Sequence, residues 1–265
     1  MYDFTYKKVG SIDDAVTAHS SADEARYMSG GMTLLPTLKL RLDKPSDVID
    51  LAAIDGLADI AVSGDAVTIG GMTRHAAVNA SKEVQEAIPA LAKLAGGIGD
   101  PQVRNRGTIG GSIANNDPAA DYPSAVVGLG ATVKTNKREI AGDDFFTGLF
   151  ETALEPGEIV TSVSFPMPDK AAYMKFPNPA SRYAIVGVFV SQGSQGNRVA
   201  VTGAGACVFR VSEMEQALGE NFSADAVASI SIPDDDLNSD IHASAEYRAH
   251  LVTIMAKRAV AEANG

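Results

Sequence analysis

Two glycine pairs constrain this chain more than anything else in it. Gly30–Gly31 stands in Ser29-Gly30-Gly31-Met32-Thr33-Leu34-Leu35-Pro36, and Gly110–Gly111 in the run from Arg106 to Asp121. The first pair follows a short strand-like stretch at Tyr27 to Ser29 and precedes a helix predicted over Thr33 to Leu40. Adjacent glycines free a backbone to turn so that successive N–H groups point one way, and they let a ligand approach the main chain. The second segment adds Thr108 and Ser112 hydroxyls, with Asp117 and Asp121 placed to accept from ribose hydroxyls or to brace the loop. A tight turn needing glycine for its dihedrals is the plainer explanation of the first pair taken alone. Neither segment is GxGxxG, and the lysine and hydroxyl of a P-loop are absent. Two such loops suit a ligand with two phosphates and long polar arms, a dinucleotide; FAD, NAD and coenzyme A are not separated at this level.

The remaining pattern is mixed α/β. Helices are predicted over Asp13 to Ala25, Arg74 to Ser81, Glu83 to Ala95 (limited by Pro89), Pro123 to Gly130 and Asp143 to Leu154. The last of these presents Phe145, Phe146, Leu149 and Phe150 on one side. Ser212 opens a short helix with Glu215 as capping-box partner, and Ala243 to Ala261 is the clearest long helix. Strands are expected at Val48 to Leu51, as a hairpin over Ile60 to Gly70 turning at Ser63-Gly64-Asp65, as a pair over Thr132 to Ile140, at Ile159 to Phe165, and as an antiparallel pair at Ile185 to Ser191 and Val199 to Gly203. Gly99 to Pro123 reads as an ordered loop system or short turn series, too long for a bare connector. The proline-rich junction Pro166-Met167-Pro168 marks a boundary between residues 1–168 and 169–265, the former dividing near residue 55.

Charge and cysteine content exclude several roles. The net charge of −11 disfavours nucleic acid and anionic membranes. A single cysteine, Cys207, leaves no intrachain disulfide and no cysteine-ligated iron–sulfur cluster, and no metal site is predicted. The first residues lack the basic and apolar stretches of a secretory leader, and no run approaches the length of a transmembrane span, so a cytoplasmic location is the expectation.

Beyond these readings, the sequence resembles a known family. GGMTLLPTLKLRL from Gly30, IGDPQVRNRGTIGGSIANNDPAAD from Ile98, DDFFTGLFETAL from Asp143, KFPNPASRYAIVG from Lys175 and ASAEYRAHL from Ala243 are similar to the FAD-binding medium subunits of the carbon monoxide dehydrogenase and xanthine dehydrogenase group of molybdenum hydroxylases. The resemblance runs over essentially the whole chain in order. It implies an FAD-binding fold of the vanillyl-alcohol oxidase type with two subdomains, followed by a smaller C-terminal α/β domain.

It also implies a site. Met28, Ser29, Gly30, Gly31, Met32, Thr33 and Leu34 would wrap the pyrophosphate from one side. Thr108, Ile109, Gly110, Gly111 and Ser112 would hold it from the other, with Asp117 and Asp121 at polar parts of the cofactor. Ile98 would pack on the flavin, Val160 would give a backbone or apolar contact, and Lys175 and Tyr183 would lie near the ring. Relatives often carry Asp before the aromatic, where this chain has Arg182. Neither glycine segment holds a histidine or cysteine, so the FAD is expected to be non-covalent. No catalytic acid–base residue is implied. Molybdopterin would sit on a large partner subunit and two [2Fe–2S] clusters on a small one, in a dimer of heterotrimers, with electrons leaving the flavin to an external acceptor. The alternatives are a self-contained flavin-dependent dehydrogenase or oxidase, and a structural subunit without cofactor.

Overall fold

The computed structural model describes residues 1–265, and its strands fall into three main sheets and one small hairpin. The chain begins with β1 (Thr5–Lys8), α1 (Ile12–Ser20), β2 (Ala25–Met28), α2 (Leu34–Lys39) and β3 (Asp47–Asp50). These strands form a parallel sheet ordered β1-β3-β2. Ser11 caps α1 by accepting from the Asp14 N–H. The helix stops five residues short of the predicted Ala25 because Ala25 pairs with Asp47 in the ladder, a long-range demand that helix propensity does not register.

The second sheet takes the hairpin β4 (Ile60–Ser63) and β5 (Ala66–Gly70), placed where the sequence puts it. Between β5 and the rest of that sheet lie six short helices. They are α3 (His75–Ala80), α4 (Lys82–Ala87), α5 (Pro89–Gly96), α6 (Pro101–Arg104), α7 (Ile109–Asn115) and α8 (Tyr122–Gly128). Pro89 limits the predicted helix as expected, α4 ending before it, and it also starts α5 at the position where a missing N–H costs nothing. The predicted loop system from Gly99 to Pro123 contains α6 and α7. Asp100 caps α6 through the Val103 N–H and Thr108 caps α7 through the Gly111 N–H.

β6 (Thr132–Thr135) and β7 (Glu139–Ala141) form the predicted strand pair. The helix predicted from Asp143 to Leu154 is not there. One turn, α9 (Gly142–Phe145), leads into a hairpin of β8 (Phe146–Gly148) and β9 (Glu151–Thr152). Phe145 and Phe146 enter the core edge to face, whereas Leu149 and Phe150 are each 56% exposed at the tip. Phe150 sits at φ +56, and the buried Asn116 amide donates to the carbonyls of Gly148 and Glu151. Those bonds from outside the segment, with a left-handed residue in its middle, override the apolar helical spacing. β10 (Val160–Pro166) completes a sheet ordered β4-β5-β10-β6-β7.

Four antiparallel strands follow: β11 (Lys170–Pro177), β12 (Ala184–Gly193), β13 (Gly196–Thr202) and β14 (Phe209–Arg210). α10 (Ser212–Glu220) and α11 (Ala245–Ala263) complete the chain. β11 has no counterpart in the sequence reading. β12 is buried along Ala184 to Ser191 because α11 covers one face and α8 lies on the other, which explains a continuous apolar run without alternation. The predicted Ser212–Glu215 capping box is replaced. Glu215 accepts from the Val199 N–H and from Arg210, and Ser212 makes no cap bond.

Packing is continuous across the Pro166–Pro168 junction, since Tyr173, Phe189 and Ala200 join the core built around β5, β10 and α8. Arg198 reinforces this contact, donating to Val127 O and, by both arms, to the Asp143 carboxylate at 2.9 and 2.7 Å. A paired, hydrogen-bonded guanidinium of this kind suits a buried position; an unpaired one does not.

Candidate functional site

A cleft of about 640 Å³ is lined by both glycine segments, and each segment reaches it differently. At the first, β2 ends, the chain turns through Ser29 to Thr33, and α2 begins. The backbone N–H groups from Gly30 through Leu34 donate to no acceptor in the protein. Gly31 takes φ +74, the left-handed geometry expected of a tight turn, and turns the chain at the cleft wall. Successive free N–H groups beside a cleft form a concave donor surface matched to phosphate oxygens.

The second segment has already used its donors. Ile109 N–H bonds Thr73 O, Gly110 N–H bonds Gly71 O, Gly111 N–H bonds Thr108 Oγ1 and Ser112 N–H bonds Thr108 O. Its glycines serve backbone packing. A Cβ on Gly110 would lie 2.6 Å from Gly71 O, and one on Gly30 would lie 2.1 Å from Arg106 O. The two segments therefore touch main chain to main chain, and Ser29 Oγ meets Thr108 Oγ1 at 2.6 Å across the seam. The two segments look alike in sequence, but in the fold the first is a donor loop and the second a buttress that adds side-chain hydroxyls.

Most of the anticipated residues line this cleft: Ser29, Gly30, Gly31, Met32, Thr33, Leu34, Ile98, Thr108, Gly110, Gly111, Ser112, Asp117, Asp121, Val160 and Tyr183. Three do not. Met28 ends β2 with its sulfur behind Gly31. Ile109 is fully buried in the core. The Lys175 ammonium is turned to Gly97 O at 2.8 Å, Arg182 O at 3.0 Å and the Asp121 carboxylate at 3.0 Å.

Asp121 is buried, and its carboxylate is gripped by Lys175 and by the Tyr173 hydroxyl. Burial pushes its carboxyl upward, against the downward pull of Lys175 and the Tyr173 hydrogen bond. Burial and Asp121 raise the Tyr173 phenol well above its ordinary value, so it stays a donor. Asp117 braces its own turn by accepting from Ala119 N–H at 2.9 Å. At the opening, Arg182 holds φ +64 and donates to Gly99 O at 3.3 Å, while Tyr183 is half-exposed.

Other lining residues were not anticipated. Gly71 and Met72 follow the β4–β5 hairpin, and the Gly70–Gly71 pair was a legible third signal: a Cβ on Gly71 would stand 2.3 Å from Val160 O. His75 was also missed. It is buried against Tyr122 with centroids 5.4 Å apart, and its Nδ1 has no partner. Burial, assisted by Arg104, lowers its pKa to about 4, so it is neutral near pH 7. No cluster of His, Cys, Asp and Glu is arranged to hold a metal ion, and no helix is long and apolar enough to cross a membrane.

A family model described as the FAD binding domain in molybdopterin dehydrogenase matches residues 2–168. This chain belongs to that family. It is 35% identical to the nicotine 6-hydroxylase medium subunit of Paenarthrobacter nicotinovorans, over 97% of this chain and 96% of that one. It is 33% identical to the carbon monoxide dehydrogenase medium chain of Hydrogenophaga pseudoflava, over 97% and 96% of the two chains. Among solved structures, a chain of the Hydrogenophaga pseudoflava carbon monoxide dehydrogenase superposes with a TM-score of 0.90 at 33% identity, covering 99% of this chain and 97% of that one. A chain of quinoline 2-oxidoreductase from Pseudomonas putida 86 gives 0.89 at 28% identity, covering 99% and 97%.

The expected fold is therefore the observed one, and the chain is an FAD-binding medium subunit of the molybdenum hydroxylase type. The residues present fit the cofactor: the free N–H groups of Gly30 to Leu34 match a diphosphate, and the cleft extends from them past Ile98 to Tyr183.

Proposed function

We propose that this chain is the FAD-carrying electron-transfer subunit of a heterotrimeric molybdenum hydroxylase resembling carbon monoxide dehydrogenase. The observation that carries this reading is the run of unbonded N–H groups from Gly30 to Leu34 at the edge of a cleft large enough for a dinucleotide. Bound non-covalently, FAD supplies a centre that accepts electrons singly and releases them singly or in pairs. The chain supplies position and electrostatics. Gly30 to Leu34 hold the diphosphate, and Thr108 and Ser112 offer hydroxyls beside it. Ile98, Val160 and Tyr183 give apolar or aromatic surface to the ring. Asp117 and Asp121 shape the polar floor, Lys175 stands behind that floor, and Met28 and Ile109 set the two segments from the core side.

In this reading residues 1–168 are the FAD-binding part, with subdomains dividing near residue 55, and residues 169–265 complete the medium subunit. Electrons arrive from [2Fe–2S] clusters of a small subunit after a large molybdopterin subunit oxidises the substrate. They leave to an external acceptor from a cytoplasmic dimer of heterotrimers. The neutral His75 and the fully engaged Lys175 leave no evident base to take a proton from an organic substrate. The test is anaerobic addition of substrate to the intact complex and to this chain purified alone. Bleaching of the flavin only in the complex supports the relay. Bleaching in the isolated chain makes it a self-contained dehydrogenase and sinks the proposal.

A further inference from the structure

Lys175 is where three separate parts of the cleft meet. It lies on β11, beyond the Pro166–Pro168 junction, and its side chain is 11% exposed. Its ammonium donates to Gly97 O at 2.8 Å, at the C-terminal end of α5. It donates to Arg182 O at 3.0 Å, in the turn between β11 and β12. Its third partner is the Asp121 carboxylate at the start of α8. An ammonium has three N–H groups, and here each has its own acceptor.

The two carbonyls belong to two neighbouring segments of the cleft lining, Ile98 and Gly99 following Gly97 in one and Ser181 to Tyr183 forming the other. Arg182 ties the same two segments a second time, from its guanidinium to Gly99 O. The turn itself is held by Asn178, whose Oδ1 accepts from the N–H groups of Ala180 and Ser181. With Arg182 at φ +64, an unfavourable setting for a side chain with a Cβ, the turn needs such outside support.

We propose that Lys175 is a positioning residue rather than a ligand of the cofactor. It is a clasp across the two halves of the chain that fixes the spacing between the Gly97–Gly99 and Ser181–Tyr183 walls, with Asp121 as its anchor. The cofactor identity rests on the function proposed above, whereas the clasp itself can be read without a cofactor. Removing the ammonium leaves Asp121 buried with one partner fewer and frees Arg182 O and Gly97 O from their tie. Arginine retains a cation and several donors, so it restores part of the function.

The experiment uses the full chain with Lys175→Met, Lys175→Arg, Asp121→Asn and the double variant Lys175→Met/Asp121→Asn. Two quantities are read: FAD affinity by fluorescence titration, and the rate of tryptic cleavage of the Arg182–Tyr183 bond in cofactor-free protein. Lys175→Met is expected to weaken FAD by about tenfold and to raise cleavage at Arg182 by about tenfold, with Lys175→Arg falling between it and the parent. Because the Lys175–Asp121 pair is shared by both single losses, the double variant should lose less than the sum of the two. Cleavage at the parent rate in Lys175→Met, with FAD affinity lost, would make Lys175 a direct ligand and overturn the clasp. Additive losses in the double variant would also overturn it. If the parent chain binds no FAD, the functional reading fails, and the cleavage rates still decide the clasp. If Lys175→Met does not fold, Lys175→Arg and Asp121→Asn carry the same comparison.

Discussion

Replacing Gly30 with alanine tests whether the glycine segments are held together by main-chain contact. The added Cβ would lie 2.1 Å from Arg106 O, 2.7 Å from Arg106 C and 2.8 Å from Gly107 Cα. All three are backbone atoms, so no rotamer change relieves the clash. Raising the shortest contact to 3.0 Å means separating the segments by about 1 Å, which is overpacking on the scale that costs about 1–3 kcal/mol of stability. The same shift breaks the Ser29–Thr108 contact and re-aims the N–H groups that follow. We expect FAD affinity to fall by about ten- to a hundredfold, the equivalent of about 1.4–2.8 kcal/mol. The assay is fluorescence titration of apo-protein with FAD, with a thermal melt of each sample. Gly10→Ala is the control, since nothing lies within 4 Å of its Cβ and its φ is not in the left-handed region. Gly30→Ala binding FAD within about twofold of the parent would refute the packing argument.

Further expectations concern acid, strain and the thiol. Burial alone would raise the Glu158 carboxyl, but Arg138, the Glu155 N–H and the Thr135 hydroxyl outweigh it and hold it at about 2. Its contribution is present above the unfolded value near 4.5 and is lost as pH falls toward 2; urea melts should show about 2–3 kcal/mol less dependence on pH in Glu158→Gln over that window. His75 acts at higher pH: with its folded pKa at about 4, the unfolded state binds more protons between that value and 6.5, so stability falls as pH drops through this range. His75→Leu should flatten that slope. Phe150→Gly, at φ +56 on an exposed tip, should raise stability by about 1 kcal/mol in a thermal melt; an unchanged or lower melting temperature contradicts the strain argument. Cys207→Ala should leave FAD content and flavin reduction unchanged, because the half-buried thiol, raised in pKa by burial, has no second cysteine to pair with.

What was legible in the sequence depended on how local the cause was. The β4–β5 hairpin follows from apolar arms around Ser63-Gly64-Asp65, and α11 from its apolar spacing, both decided within a short window; the Ser244 cap that starts α11 at Ala245 was not read. The Asp143–Leu154 helix failed because its competitor is tertiary: Asn116, far along the chain, holds the hairpin carbonyls. β11 was missed because its sequence, KAAYMKFP, lacks a β-branched run; its strand form comes from pairing with β12. In the site, the glycine pairs announced themselves, but their division of labour did not. Which N–H groups are free depends on Thr73, Gly71 and Thr108 meeting α7, and no spacing rule encodes that meeting. Resemblance puts Lys175 near the ring, whereas in the fold its donors are turned to Gly97, Arg182 and Asp121.

The most direct test of the central claim is the absorption spectrum and released-cofactor analysis of this chain, purified alone and with its neighbouring subunits. FAD should be released by denaturation from both samples, without covalent attachment, at about one per chain. Flavin absent from both would contradict it, and the donor loop from Gly30 to Leu34 would then need another ligand.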